Sequence, residues 1–473
     1  MGVNMKKGKY QYLFGNMALF TVSNFVSKIL VMLLVPFYTN VLTTSEYGIA
    51  DVMQATLLLL VPLLSLNMGE AALRFGLEEG ENHANILKTG FKYVGLGILG
   101  VSAVCCFLAF VLPGRELKSY AAFFAVLFFC DSVYEFMLLF CQGAEKVKVM
   151  ITGSVSCTLL VILSNLFFLL VLKIGLYGYL AAQMISFLGA AMLMFVLMGG
   201  FSLLKEGRCD PVLEKEMTHY GKSMLLYSTS SWVNNAIDRY FVLAMLGTAV
   251  NGLYGVAYKI PAILTVFQRI FAQAWQMSAA KNYREEDSVS YFSNMYIMYN
   301  AVMVTGCSFL ILTVRIIAKL MFAKEFFAAW SLVPPLLISV IFGALTGFLG
   351  SICLAYKDAK SMGWATGIGA CVNIVLNAVL ISCFGAFGAA VATMISYFTM
   401  YAASFFKVRK HVKLLVHYRK DYFAYLLLIV QMSVMVFRAP LDLIWAGLLF
   451  MFILIIYGKE AAELVKGFMG KRN

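Results

Sequence analysis

Four basic residues, Lys28, Arg239, Lys259 and Arg269, stand inside long apolar stretches of the chain, and two acids, Asp131 and Glu135, stand inside another. A charge in such surroundings is costly and usually faces a cavity or a partner. Lysine and arginine hold anionic groups through charge-assisted hydrogen bonds, so the four cations are candidates for binding an anionic head group. Asp131 and Glu135 are four residues apart, and a helix puts them on one face. Such a pair can take up a proton or Na⁺, which makes them candidates for cation coupling. Each assignment has a structural alternative. Asp238 is adjacent to Arg239 and is a ready counter-ion. Lys259 and Arg269 lie near the ends of their stretch and can snorkel to an interface. Asp131 and Glu135 can form a hydrogen-bonded pair that only supports the fold.

The elements that carry these residues follow from composition. Of 473 residues, 62% are hydrophobic and 13% charged, about half the charged share of a soluble domain. The bilayer must be the solvent for most of such a chain. Hydropathy marks fourteen candidate spans: roughly 12–38, 48–70, 90–112, 120–141, 149–172, 177–200, 222–246, 252–275, 291–314, 331–354, 362–383, 387–406, 422–437 and 441–457. The basic start and the apolar run after it read as a retained first span, not a cleaved leader. The expected architecture is an all-α polytopic membrane protein.

Lysine and arginine fix the expected orientation. With the N-terminus inside, 26 of the 37 fall in inner segments and 7 in outer ones. This asymmetry puts both termini in the cytoplasm and accounts for the net charge of +13 without nucleic acid. The loop "LTTSEYGIAD" (42–51), bare of Lys and Arg, is an outer turn. The basic stretch "KVRKHVKLLVHYRKD" (407–421) is expected to lie on the anionic inner leaflet. Cysteines and histidines show no metal-ligand spacing, so no cofactor is expected beyond a coupling ion. Trp275, Trp330 and Trp445 read as interfacial belt residues. Pro36, Pro62, Pro261, Pro334 and Pro335 are candidate bends, either hinges or static kinks.

The chain also repeats itself. "GLYGYLAAQMIS" (175–186) and "GAFGAAVATMIS" (385–396) share six of twelve residues at an offset of 210. Asn24-x3-Lys28 parallels Asn235-x3-Arg239, and Tyr47-Gly48-Ile49-Ala50 parallels Tyr254-Gly255-Val256-Ala257. The reading is a duplicated six-span unit: an N-lobe (1–200), a cytoplasmic linker (201–221), a C-lobe (222–406), and a remainder (407–473) with two extra spans. An even number of spans gives both units the same orientation, with two pseudo-symmetric lobes about an axis along the membrane normal. That is transporter architecture. Lys28 and Arg239 occupy equivalent places, so both are expected to line one cavity, where pyrophosphate is the anion they suit.

"PFYTNVLTTSEYGIADV" (36–52), "CQGAEKVK" (141–148), "GLYGYLAAQMIS" and "NNAIDRYFVLAMLGTAVNGLYGVAYKI" (234–260) resemble the polysaccharide biosynthesis proteins. These are the lipid-linked oligosaccharide flippases of the multidrug/oligosaccharidyl-lipid/polysaccharide exporter superfamily. The resemblance covers roughly residues 10–406. It implies an alternating-access flippase of a bacterial cytoplasmic membrane that moves an undecaprenyl-pyrophosphate-linked oligosaccharide to the outer leaflet. It implies a monomer working alongside a polysaccharide polymerase, with Lys28, Arg239, Lys259 and Arg269 holding the pyrophosphate. Lipid II flippases of the superfamily also have fourteen spans, but they carry several arginines in the first six, where, with Lys92 counted to the inner segment at the edge of its span, this chain has only Lys28. A cation-coupled multidrug antiporter of the same fold predicts a more acidic cavity. A membrane glycosyltransferase or polymerase needs a sizeable outer loop with catalytic residues. The largest here, 315–330, holds one acid, Glu325, so an enzyme is not expected.

Overall fold

Inside a bilayer no water satisfies backbone N–H and C=O groups, so each apolar segment must satisfy its own as a helix. The computed structural model describes residues 34–78, 82–111, 113–208, 210–284, 287–356, 358–416 and 418–469. The described residues are helical along their apolar runs and contain no strand. Every expected span after the first falls on helical segments, with 48–70 and 252–275 each crossing a break between two helices. Eight helices among the described residues are long and apolar enough to cross a membrane, or nine if a pair bent by 47° counts as one. The chain is an all-α, multi-pass membrane protein.

The helices gather into two compact units. Unit 1 takes the described residues up to Leu42 and Ile49–Trp232. It holds α1 (Val35–Val41), α2 (Thr44–Leu64) beyond its first turn, α3 (Met68–Gly76), α4 (His83–Val111), α5 (Arg115–Gly143), α6 (Val147–Asn165), α7 (Gly175–Leu197), α8 (Gly200–Glu206) and the start of α9 (Pro211–Leu246). Met68, Ile86, Phe136, Phe140, Met194 and Met217 join α3, α4, α5, α7 and α9 in one buried core. Asp210 caps α9 by accepting from Val212 N (2.9 Å), with Pro211 in the first turn. The helix that starts there runs unbroken to Leu246. Its start is tied to α4, where Lys92 pairs with Glu214 at 2.6 Å and the Tyr93 hydroxyl donates to the same oxygen at 2.7 Å. The Lys92 bond, then that of Tyr93, holds the Glu214 carboxyl below its ordinary range.

Unit 2 takes Thr43–Gly48 and Val233–Asn473. It holds the rest of α9, then α10 (Thr248–Ala257), α11 (Pro261–Asn282), α12 (Ser288–Met321), α13 (Val333–Ala355), α14 (Ala359–Val408), α15 (Tyr418–Val436) and α16 (Asp442–Met469). The centre is α13, buried along most of its length. Phe271 stacks on Tyr299 at 4.0 Å and Trp275 on Phe348 at 4.2 Å. The Trp275 indole donates to the Phe348 carbonyl at 3.0 Å. This corrects the belt reading of the tryptophans. Trp275 and Trp330 are core residues, 2% and 4% exposed, while Trp445 is 52% exposed. Trp275 can be buried because its one polar atom is satisfied inside.

The two expected spans 362–383 and 387–406 form one helix, α14, bent at Gly385 (φ +60°, ψ −144°). Its repeat counterpart, Gly175, also has positive φ (+52°). Both copies of the motif thus open on a conformation that costs an L-residue roughly 1–2 kcal/mol. Among the candidate bends, Pro36, Pro261 and Pro334 sit in first turns, where the missing N–H costs nothing. Pro62 lies inside α2. The 47° bend separates α10 from α11 at residues 258–260.

Candidate functional site

Span seven is the polar one. The part of α9 in unit 2 carries Asn234, Asn235, Asp238 and Arg239, and α9 is not among the helices that pass as apolar spans. The Asp238 carboxylate is 2% exposed. Its Oδ2 accepts from the Tyr254 hydroxyl at 2.6 Å and the Tyr258 hydroxyl at 2.7 Å, both on or just past α10. Thr393 Oγ1 on α14 lies 3.3 Å from the same oxygen and 3.1 Å from Ala389 O, and shares its proton between them. Tyr397, one turn on, donates to Asn235 Oδ1 at 3.0 Å. Three helices are thus tied at one point by a buried carboxylate and hydroxyl donors, which satisfies the rule that a buried charge must be hydrogen-bonded.

Arg239 is positioned by the same cluster. Its Nη1 donates to Asn235 O at 2.8 Å, and its guanidinium lies over the Tyr258 ring, 4.9 Å from the centroid. Tyr258 therefore works at both ends: its hydroxyl holds Asp238 and its face holds Arg239. Lys259 follows directly, half-buried in the turn between α10 and α11. Lys259 is thus next in the chain to the residue whose ring carries Arg239. Arg269 does not join them. It is exposed on α11, ten residues beyond Lys259, roughly 15 Å along a helix. Lys28 lies outside the described residues.

Asp131 and Glu135 lie on α5, half-buried and exposed respectively, and neither has a hydrogen bond or ion pair among the described residues. Among the described residues no group of three or more His, Cys, Asp or Glu is placed to hold a metal ion.

Sequence reasoning weighed Asp238 only as a counter-ion to Arg239 and did not single out Tyr254, Tyr258, Thr393 or Tyr397. The signal for two of them was present, since Tyr254 and Tyr258 stand four apart on the segment facing the Asp-Arg pair. Chemically, the cluster holds a cation, Arg239, beside a buried carboxylate in a span rich in polar side chains.

The family model described as "polysaccharide biosynthesis protein" matches residues 13–276. No curated protein sequence matches the chain. Among solved structures, the chain is similar to a lipid II flippase MurJ in an inward closed conformation: TM-score 0.70 at 16% identity, covering 96% of this chain and 100% of that one. It is also similar to an inward-facing multidrug resistance MATE family transporter of the MOP superfamily: TM-score 0.67 at 12% identity, covering 81% and 94%. A third is a MOP superfamily transporter from Pyrococcus furiosus titled for the reverse polarity of its binding pocket: TM-score 0.56 at 14% identity, covering 84% and 92%. At these identities the likeness establishes a fold, that of the MurJ and MATE transporters. The family match spans more than half of the chain, and the chain belongs to the polysaccharide biosynthesis protein family.

Proposed function

We propose that the protein is an alternating-access flippase that carries a polyprenyl-pyrophosphate-linked oligosaccharide from the cytoplasmic to the outer leaflet of a bacterial cytoplasmic membrane. The observation that carries the reading is Arg239, a cation fixed within an expected membrane span by Tyr258 and Asn235, in a chain of this family. A pyrophosphate needs such donors, and a neutral or cationic drug does not. Lys28, Lys259 and Arg269 are the further cations proposed to meet the substrate. The moving halves are the repeats 1–200 and 222–406, joined by 201–221, with both termini in the cytoplasm. The protein works as a monomer beside a separate polymerase and catalyses no bond-making step. Asp131 and Glu135 couple the cycle to a proton or sodium gradient.

Arg239→Ala and Lys28→Ala are expected to reduce flipping of a polyprenyl-pyrophosphate sugar in proteoliposomes by roughly ten- to a hundredfold, the loss of one charge-assisted contact. Membrane insertion should be unchanged. Normal surface-polysaccharide export in cells carrying either variant would overturn the assignment. Collapsing the gradient should slow flipping in the wild type but not in Asp131→Asn/Glu135→Gln. Flipping at full rate in vesicles without any gradient would remove the coupling role. Lipid II as substrate is the second reading, favoured by the similarity to the MurJ fold. Complementation of a strain lacking its lipid II flippase separates the two.

A further inference from the structure

Between α14 and α15 the chain crosses unit 2 as a non-helical strap, residues 409–416. Its side chains alternate as in a strand. Val412 and Leu414 are buried, and Leu415 is 66% exposed. Two fixings hold it. His411 Nε2 meets Asp358 Oδ2 at 2.9 Å while its ring stacks on Tyr356. Leu415 N donates to Ser293 Oγ at 2.8 Å. Hydrogen bonds from Ser361 and then His411 hold the Asp358 carboxyl well below the usual carboxylate range, so this anchor stays charged.

Beside the strap, against the first turns of α12, is a cavity of about 420 Å³, lined by Ser290, Asn294, Ile297, Leu415 and Tyr418 among others. That volume falls in the range of small-molecule sites. Ser290 and Asn294 are exposed to it and make no protein hydrogen bond among the described residues. The Tyr418 hydroxyl accepts from Arg409 Nη2 at 2.9 Å, which brings a guanidinium to the rim. From Lys407 to Lys420 there are six Lys or Arg and no acid. The next acid, Asp421, is buried and accepts from Asn300 at 2.9 Å and Tyr457 at 2.6 Å. Around the same segment, Phe406, Leu415, Tyr422 and Phe423 are 67%, 66%, 52% and 46% exposed. The cavity therefore combines free hydroxyl and amide groups, a cationic rim and an apolar shoulder, at the ends of two membrane-crossing helices.

We propose that this cavity binds the head group of an anionic phospholipid of the surrounding leaflet, with its phosphate at Arg409, Tyr418 and Asn294 and its acyl chains along the exposed apolar shoulder. Charge complementarity and the position at the span ends select this occupant. The site is separate from Arg239 and does not depend on which substrate is carried.

The test uses the full-length protein, purified in detergent with dioleoylphosphatidylglycerol or dioleoylphosphatidylcholine added, and counts retained lipid by native mass spectrometry. Phosphatidylglycerol should be retained several-fold over phosphatidylcholine. Arg409→Gln should lower that retention roughly tenfold, and Asn294→Trp, which fills the cavity, should do the same. Lys215→Gln, a basic site elsewhere, should leave it unchanged. Equal retention of the two lipids, or unaltered retention in Arg409→Gln, would overturn the proposal. If Asn294→Trp does not fold, Arg409→Gln decides alone. Free glycerol 3-phosphate at 10-fold excess over the lipid should not displace it. Full displacement would make this a soluble-phosphate site and would also overturn it.

Discussion

Asp238 is buried among donors that carry no charge of their own: two tyrosine hydroxyls and a threonine hydroxyl. Arg239, one residue on, turns to a carbonyl and a ring face instead. If the ring of Tyr258 positions the guanidinium, its two functions can be separated by substitution. Tyr258→Phe keeps the ring and removes one donor to Asp238, at about 1 kcal/mol of stability. Tyr258→Ala also removes the cation–π contact, worth about 0.5–2 kcal/mol. Transport assays at varied substrate should show an apparent affinity little changed in Tyr258→Phe and several-fold weaker in Tyr258→Ala. Equal losses in the two would put the hydroxyl, not the face, in control of Arg239. The sequence displays part of this site. A charge pair in an apolar span is visible in a single chain, and so are two tyrosines one turn apart. Thr393 is not, because it stands 155 residues from Asp238 and nothing in one sequence joins them.

At the scale of the element, the segments "LTTSEYG" and "TAVNGLYG", which the structure makes the starts of α2 and α10, look alike because they do the same thing to each other. A Cβ on Gly48 would fall 2.0 Å from Thr248 O, and one on Gly252 would fall 1.9 Å from Thr44 O. The contact is reciprocal, and hydrogen bonds close it. Ser45 Oγ and Thr248 Oγ1 are 2.6 Å apart, and Asn251 Nδ2 donates to Gly48 O at 3.0 Å. Only glycine allows the first turn of α2 and α10 to come this close. Gly48→Leu or Gly252→Leu must push two backbones apart, which costs about 1–3 kcal/mol or more. Each should lower the melting temperature of the purified protein, while Ser45→Cys with Thr248→Cys should form a disulfide in membranes under mild oxidation. Failure of that pair to cross-link would reject the crossing. Hydropathy found the helices here because apolar length is a local property. It misread Trp275 and Trp330 because an indole at a span end has the same sequence signature whether it faces head groups or a carbonyl in the core. For Trp275 the distinction rests on Phe348, which supplies that carbonyl from another helix, and for Trp330 on Arg315, whose guanidinium lies over its ring.

Read from the sequence, the repeat would account for twelve spans and set the last two apart as additions, whereas the contacts build α15 and α16 into unit 2. They are fastened to α12 at three levels. Asn300 donates to Asp421 at 2.9 Å and to Tyr457 at 3.2 Å, and accepts from Tyr425 at 2.9 Å. Two turns along, Ser308 donates to Gln431 Oε1 at 2.7 Å, and Gln431 Nε2 donates to Ala446 O at 3.0 Å. Two turns further, Arg315 pairs with Asp442 at 2.6 Å and donates to Met435 O at 2.8 Å. Positions 300, 308 and 315 lie on one helix face. The sequence hides this ladder, since Asn300 and Ser308 read as isolated polar residues in an apolar span and reveal their purpose only with their partners. A chain ending after Val408 would leave both side chains against lipid, where each unpaired polar group costs several kcal/mol. That truncation is expected to insert but not to yield a monodisperse folded species by fluorescence-detected size exclusion. Gln431→Leu, which breaks only the middle rung, should fold and melt earlier by about 1–3 kcal/mol. A truncated chain as stable as the full one would show that the ladder fastens α15 and α16 without supporting α12. Loss of folding with truncation and a graded loss with Gln431→Leu would make the two added helices part of the structure that holds α12 and, through α13, the core of unit 2.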